Sequence, residues 1–241
     1  MLIQYLIVSA LICQSFSLTG HYMNGAPINR KFHVHLTRNR VWGVPFEISQ
    51  VFCGGSIISE RWILTAAYCV FKLPSNTQIE VVAGRDSISQ RLDPNQQNRM
   101  VTSIHIHHSY PGSNAQHDIA LLKVKEPFDF NYYVGKISFE KINPVRILSD
   151  YEYNTESTID DLSNSVAIVS GLGSISRNYT VIIPEYLQYE EVSVIDNEYC
   201  RTIIKEAVSG GMFPCGVVDV PSVYTRVPSY VDWINNTMEL K

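Results

Sequence analysis

Charged side chains are scarce in this sequence, and positive charge is not in excess. Only 17% of the 241 residues are charged, and 19 Lys and Arg stand against 23 Asp and Glu, for a net charge of −4. Without a basic surface to neutralise phosphates, nucleic-acid binding is not expected. Apart from the N-terminus, no apolar run approaches the length of a membrane span, so we expect no membrane partner. Hydrophobic residues make up 45% of the chain, which excludes wholesale disorder and predicts a packed core.

The first 19 residues carry no charged side chain at all. The apolar run from Leu2 to Cys13 is too short to cross a bilayer as a helix. Ser15 and Ser17 are small residues placed where signal peptidases cut. We therefore expect residues 1–17 to be a secretory signal peptide and the protein to be secreted and extracellular. The alternative is a buried N-terminal strand or helix.

Secretion determines how the five cysteines are interpreted. Cys13 would leave with the signal peptide, and four cysteines allow three pairings. Disulfides are the default over metal sites in an oxidising compartment. The N-x-[ST] sequons at Asn178 and Asn235 are predicted glycosylation sites on the same route. The cysteines available for disulfides are Cys53, Cys69, Cys200 and Cys215.

Short β-branched and aromatic segments separated by turns predict an all-β protein with antiparallel strands. Two helices are also expected, one beginning at Asp196 and ending at Glu206, and one at the C-terminus over Ser229–Leu240. The acidic stretch Ser149–Asn164 is interpreted as a solvated loop, with a partner-binding loop as the alternative. The predicted strands are Phe32–Thr37, Val51–Ser59, Ile79–Ala83, Met100–His107, Asp118–Val124, Val166–Gly171 and Leu187–Ile195.

Two pairs of histidines are spaced to share a strand face, His33 with His35 and His105 with His107. Imidazole pairs can hold zinc. No Asp, Glu or Cys accompanies them at a matching spacing, so we expect solvent-facing histidines and no metal site. No cofactor is expected either.

Residues 52–69 read F-C-G-G-S-I-I-S-E-R-W-I-L-T-A-A-Y-C, and this segment closely resembles the trypsin-like serine proteases of the chymotrypsin family. Further segments follow the family in order: I-H-H-S-Y at 106–110, H-D-I-A-L-L-K-V at 117–124, V-S-G-L-G at 169–173, and V-Y-T-R-V then Y-V-D-W-I within 223–234. The resemblance implies two antiparallel β-barrels, the second incomplete, with a C-terminal helix. It also implies one trypsin-like domain over residues 22–241.

The chemistry of that family needs a Ser nucleophile, a His base, a buried Asp that orients the His, and backbone N–H groups that stabilise the oxyanion. The resemblance places the Asp at position 118 and the His at position 68, where this chain has Tyr. A phenol titrates near pH 10, so Tyr68 offers no free base at neutral pH. Asp118 and Tyr68 are therefore interpreted as vestiges of a triad, with no catalytic residue set intact.

The nucleophile segment G-D-S-G-G-P is absent. Ser209 precedes two glycines, but its context and its 14-residue distance from Val223 differ from the family pattern, and a flexible loop is the preferred interpretation. We expect an internal truncation between about residues 215 and 223. M-F-P-C-G at 212–216 resembles the family's M-F-C-A-G, which would pair Cys200 with Cys215.

Two alignments of Cys215 stay open, because the same cysteine also matches the one that precedes the closing V-Y-T-R strand. The parity of the cysteines favours the first alignment, with Cys53 paired to Cys69 and Cys200 to Cys215. Each bridge would close a loop of about 15 residues and stabilise by roughly 3 kcal/mol. Y-M-N-G at 22–25 replaces the family's activation sequence I-V-G-G, and no Arg or Lys precedes it.

These observations predict a secreted, non-catalytic serine-protease homologue that binds a protein partner or a protease substrate and is monomeric. One alternative is a splice form or incomplete version of an active trypsin-like endopeptidase. Another is a folding-impaired product, because a second barrel without all its strands exposes sheet edges.

Overall fold

The computed structural model describes residues 21–22, 31–38, 51–85, 87, 93–112, 116–137, 166–171, 185–195, 198–199, 202 and 224–239. Several sequence predictions lie outside these residues and remain predictions. They are the signal peptide, the acidic loop, the Asn178 sequon, Ser209, Cys200, Cys215 and the truncation between about 215 and 223.

The described residues include nine strands and three short helices with defined bounds, and residues 198–199 and 202, within the helix expected from Asp196 to Glu206, are also helical. Strands β3, β5 and β8 have the predicted bounds, β2, β6, β7 and β9 differ from their predicted bounds by a few residues, and β1 and β4 were not predicted. The strands are β1 (His21–Tyr22), β2 (His33–Arg38), β3 (Val51–Ser59), β4 (Trp62–Thr65), β5 (Ile79–Ala83), β6 (Gln97–Ile106), β7 (Ala120–Val124), β8 (Val166–Gly171) and β9 (Gln188–Ser193). The helices are α1 (Ala67–Val70), a 3-10 helix (Val227–Tyr230) and α2 (Val231–Glu239).

Strands β2 to β7 close into an antiparallel barrel with the order β2-β3-β4-β7-β6-β5. Successive side chains of a strand point to opposite faces, so every second residue enters the barrel. Ile63 of β4 and Leu122 of β7 are fully buried in this interior, together with Val34 and Leu36 of β2. The barrel is therefore held together by a continuous aliphatic core.

The outer face of β4 and β7 is largely buried as well, which explains why apolar residues follow one another in both strands, with Thr65 and Lys123 as the polar exceptions. Trp62 and Leu64 of β4 pack with Leu121 in a second core. Val227 of the 3-10 helix and Ile234 of α2 complete that core from the C-terminal segment. The predicted C-terminal helix is thus confirmed, and it packs on the outside of the barrel.

Strands β1, β9 and β8 form a separate three-stranded antiparallel sheet. His21 pairs with Tyr189 and Tyr22 with Gln188, so the residues before Met23 add a short edge strand to β9. The all-β fold class is confirmed, with one closed six-stranded barrel and a C-terminal helix. Within the described ranges, no helix has the length and apolar character that crossing a bilayer requires.

The expectation that the histidines of β2 face the solvent is wrong. His33 is 8% exposed and His35 only 3%. A two-residue periodicity predicts which residues share a face, but not whether that face is covered. Both faces of β2 are buried from His33 to Thr37, so its histidines are buried on the outer face of the barrel.

Candidate active site

The pairing of β4 with β7 brings Tyr68 and Asp118 together. The two strands are antiparallel, and Thr65 at the end of β4 lies opposite Ala120 at the start of β7. Tyr68 follows Thr65 by three residues in α1, and Asp118 precedes Ala120 by two. The two positions that the family resemblance assigned to the triad therefore meet at one edge of the barrel.

Asp118 directs its carboxylate to the backbone of α1. The N–H of Tyr68 donates to Oδ1 of Asp118 at 2.9 Å, and the N–H of Ala67 also donates to this carboxylate. These two donors belong to the first turn of α1, whose N–H groups have no partner within the helix. Burial raises the pKa of Asp118, and the two backbone hydrogen bonds oppose that rise.

The phenol of Tyr68 lies beside a disulfide sulfur. Its hydroxyl lies 3.6 Å from Sγ of Cys53. That sulfur carries no hydrogen because it is in a disulfide, so the phenol is the donor. Burial raises the pKa of Tyr68 far above its usual value, and the negative charge of Asp118 and the neighbouring Tyr110 raise it further. The phenol is therefore protonated at any physiological pH.

Cys53 of β3 and Cys69 of α1 form a disulfide with a Cα–Cα distance of 6.1 Å. Both cysteines are buried, at 1% and 5% exposure. The bridge fixes α1 to the barrel wall and thereby also fixes Tyr68, the residue before Cys69. The family resemblance implied this pair.

Two neighbours of Asp118 are residues to which the sequence analysis gave no role in the site. Thr225 donates its hydroxyl to the backbone carbonyl of Asp118 at 2.8 Å. The phenol of Tyr110 is close enough that the charge of Asp118, after burial, raises its pKa. The Thr225 contact joins residues 107 positions apart, and no local pattern in the sequence signals such a contact.

The two histidine pairs differ in their contacts. His33 and His35 do approach, with ring centroids 5.0 Å apart. His105 instead packs on Trp62, whereas His107 stacks on His117. Among the described residues, no group of three His, Cys, Asp or Glu is arranged to hold a metal ion.

The Asn235 sequon lies on α2, where Asn235 is exposed. The hydroxyl of Thr237 donates to the carbonyl of Trp233, one turn earlier, at 2.7 Å. Glycosylation at Asn235 stays a prediction, as does glycosylation at Asn178.

Replacing Asp118 by Ala is expected to lower the free energy of unfolding by about 1–3 kcal/mol, because two partly buried N–H groups lose their acceptor. Asp118→Asn keeps a carbonyl oxygen for these donors and is expected to lose less. Chemical denaturation followed by circular dichroism measures both. Asp129→Ala is the control, because this 84% exposed carboxylate pairs with Arg99 at the surface and contributes at most about 1 kcal/mol. Equal losses for Asp118→Ala and Asp129→Ala would contradict a structural role of Asp118.

Comparison with known proteins gives a consistent family. The family model described as Trypsin matches residues 30–213. Coagulation factor IX of Cavia porcellus is 39% identical over 171 residues, which cover 70% of this chain and 53% of that protein. Serine protease grass of Drosophila melanogaster is 28% identical over 233 residues, covering 80% of this chain and 62% of that protein. The chain thus spans between about half and two thirds of the length of these relatives.

Among solved structures, the chain is similar to neuropsin, a serine protease expressed in the limbic system of mouse brain. The TM-score is 0.66 at 20% identity, with 88% of this chain and 96% of that chain covered. At this identity the likeness shows the fold alone, and the family model, which matches well over half of the chain, shows the family. The chain belongs to the trypsin family of serine proteases.

Proposed function

We propose that this chain is a secreted, non-catalytic member of the trypsin family that acts by binding a protein partner or a protease substrate. The observation that carries the proposal is Tyr68 at the position of the catalytic base. A general base must accept a proton, and a phenol that is protonated and donates to a disulfide sulfur has no basic site to offer. Loss of the His from a triad of this kind lowers turnover about a million-fold.

The sequence supports the same conclusion at the nucleophile. No G-D-S-G-G-P segment is present, and the family match ends at residue 213, before the expected truncation. A chain without that segment lacks the nucleophile and the N–H groups that stabilise the oxyanion. Both are needed for acyl transfer.

Asp118 has a structural role that does not require a catalytic histidine. In an active triad the carboxylate orients the imidazole and stabilises its charge. Here the Asp118 carboxylate accepts hydrogen bonds from the backbone of α1. This explains how the acid is retained when its catalytic partner is not.

Hydrolysis by the wild-type chain and by the Tyr68→His variant tests the proposal. We expect neither protein to cleave fluorogenic peptides with Arg, Phe or Ala before the scissile bond above the rate of a buffer blank. The variant restores the imidazole beside Asp118 but not a nucleophile, so it separates the two losses. Turnover by the wild-type chain would overturn the proposal. Turnover by Tyr68→His alone would show that a nucleophile is present after all, as in an active splice form carrying a single inactivating residue.

A binding role also requires a folded, secreted product. We infer that the chain is monomeric after removal of residues 1–17, and light scattering of the secreted protein measures this against 27.3 kDa for the full chain. A monomer that unfolds cooperatively supports the proposal. Aggregated or unsecreted protein would instead favour a folding-impaired product, because unpaired sheet edges lead to association.

A further inference from the structure

Three histidine rings stack where the C-terminal segment meets the barrel. His107 follows β6, and its ring lies 4.4 Å from that of His108 and 4.9 Å from that of His117, with interplanar angles of 25° and 5°. His107 is 8% exposed. We call these three residues the histidine stack. His117 is half-buried within this stack.

The backbone places His117 in the stack. His117 has a φ of 52°, in the left-handed region that non-glycine residues rarely adopt. The N–H of Ile119 donates to its carbonyl at 2.8 Å, and this turn leads directly into β7. The position of the ring is therefore tied to the start of a barrel strand.

The C-terminal segment, comprising the 3-10 helix and α2, closes over the stack. The Tyr230 hydroxyl and Nδ1 of His117 are 3.1 Å apart and hydrogen-bonded. The ring of Tyr230 stands perpendicular to His107 at 5.2 Å. Trp233 of α2 lies 5.1 Å from His107. The histidines thus form the aromatic part of the contact between the C-terminal segment and the barrel, and Val227 and Ile234 form its aliphatic part.

The hydrogen bonds of His107 require the neutral ring. The N–H of Ser109 donates to Nδ1 of His107 at 3.2 Å, so Nδ1 carries no proton. Protonation of Nδ1 would set its N–H against the N–H of Ser109 and break this hydrogen bond. Burial lowers the pKa of His107, and the adjacent His108 and His117 lower it further.

The charged groups around the stack provide little compensation for an added proton. Asp118, next to His117, directs its carboxylate to α1. On the C-terminal segment, Asp232 is exposed and Arg226 adds a positive charge. The phenol of Tyr230 also faces His107. An imidazolium at His107 would therefore stack directly against two other imidazoles.

We propose that the histidine stack is a pH-sensitive joint through which acidification loosens the C-terminal segment from the barrel. The docked state binds a proton less readily than the undocked state, because the pKa of His107 is below the ordinary value of 6.5. The contribution of the stack to docking is complete above pH 6.5 and is lost as the pH falls below it. This inference concerns regulation of the fold and does not depend on whether the chain is catalytic.

Hydrogen exchange of the full secreted chain, measured by mass spectrometry at pH 7.5 and pH 5.5 and corrected for intrinsic rates, tests the joint. We expect protection of residues 227–239 to fall by roughly threefold or more on acidification. Unchanged protection of 227–239 would overturn the proposal. So would a rise in protection, which would mean that attraction between the imidazolium and the Trp233 or Tyr230 ring outweighs the cost of protonation.

The His107→Asn variant separates the joint from general acid effects. The Asn side-chain oxygen can accept the Ser109 N–H in place of Nδ1 but cannot be protonated, so the pH response of residues 227–239 should disappear. His105→Asn is the matched control, because His105 packs on Trp62 outside the stack, and it should keep the wild-type response. If His107→Asn lowers protection at pH 7.5, the change in protection between the two pH values within that variant still tests the proposal. A pH response of His107→Asn equal to that of the wild type would overturn the proposal.

Discussion

Acidification from pH 6.5 to pH 4 is expected to lower the free energy of unfolding by about 3 kcal/mol through His35 alone. Burial within the covered face of β2 lowers the pKa of His35 from 6.5 to about 4, and the charge of Arg85 adds to this. The Nε2 atom lies 3.2 Å from the Arg85 carbonyl oxygen, which can only accept, so Nε2 carries the proton of a neutral ring. That hydrogen bond acts in the opposite direction and raises the pKa.

The sign of the effect follows from proton binding in the two states. The unfolded chain takes up the proton near pH 6.5 and the folded chain only near pH 4, so the stabilisation is complete above 6.5 and is lost between these values. Each tenfold difference in proton affinity contributes about 1.4 kcal/mol. Denaturant unfolding at a series of pH values measures the loss.

The His35→Gln variant should remove most of this pH dependence. The Gln side chain carries an N–H that can donate to the Arg85 carbonyl, and it does not titrate. His105→Gln is the control, since the partly buried His105 hydrogen-bonds Ser103 of the same strand, and it should unfold with the wild-type pH profile. A wild-type profile that is flat between pH 6.5 and pH 4, or one that persists in His35→Gln, would show that His35 is not buried as a neutral ring.

Removing the Cys53–Cys69 disulfide is expected to lower the free energy of unfolding by about 3 kcal/mol. The bridge spans a sequence separation of 16, and closing a loop of this size restricts the unfolded chain by about that amount. The loss also frees α1, which places Tyr68 beside Asp118. Denaturant unfolding of the Cys53→Ala/Cys69→Ala double variant measures the effect.

The two single cysteine variants serve as controls for packing. Either substitution breaks the bridge completely, so both single variants and the double variant should lose similar amounts. If the losses of the single variants simply add up in the double variant, the cysteines contribute by packing and not by the bridge. A double variant within about 0.5 kcal/mol of the wild type would contradict a structural disulfide.

The outline of the barrel could be predicted from the sequence because its strands are short and β-branched. Strands β3, β5 and β8 begin and end where the pattern predicts. Strand β4 was missed because only Glu60 and Arg61 separate it from β3, and the apolar pattern continues across this two-residue turn. Helix α1 was missed because four residues are too few to show a helical period.

The burial of the histidines could not be predicted, since it depends on what covers the outside of the barrel. His33 and His35 share a face, as expected, but that face is buried. His117 is half-buried because its left-handed backbone turns the ring towards His107 and Tyr230. The contact between His117 and Tyr230 joins residues 113 positions apart.

The family resemblance predicts that Tyr68 and Asp118 lie close together, but it does not predict the hydrogen bonds that the Asp118 carboxylate accepts. Without an imidazole beside it, the partly buried Asp118 carboxylate needs another hydrogen-bond partner. The identity of that partner, the backbone of α1, depends on the register of β4 with β7 and on the direction of a helix four residues long. Strand register at this precision follows from the packed barrel and not from a local motif.

The most direct test of a non-catalytic trypsin-family chain is reaction with a fluorophosphonate, which modifies an activated serine. The secreted protein is incubated with the reagent and its intact mass is measured, with bovine trypsin treated in parallel. We predict that trypsin gains one adduct and that this chain keeps its unmodified mass. A stoichiometric adduct on the native chain that does not form after denaturation would contradict the proposed function, because it would show an activated nucleophile despite Tyr68.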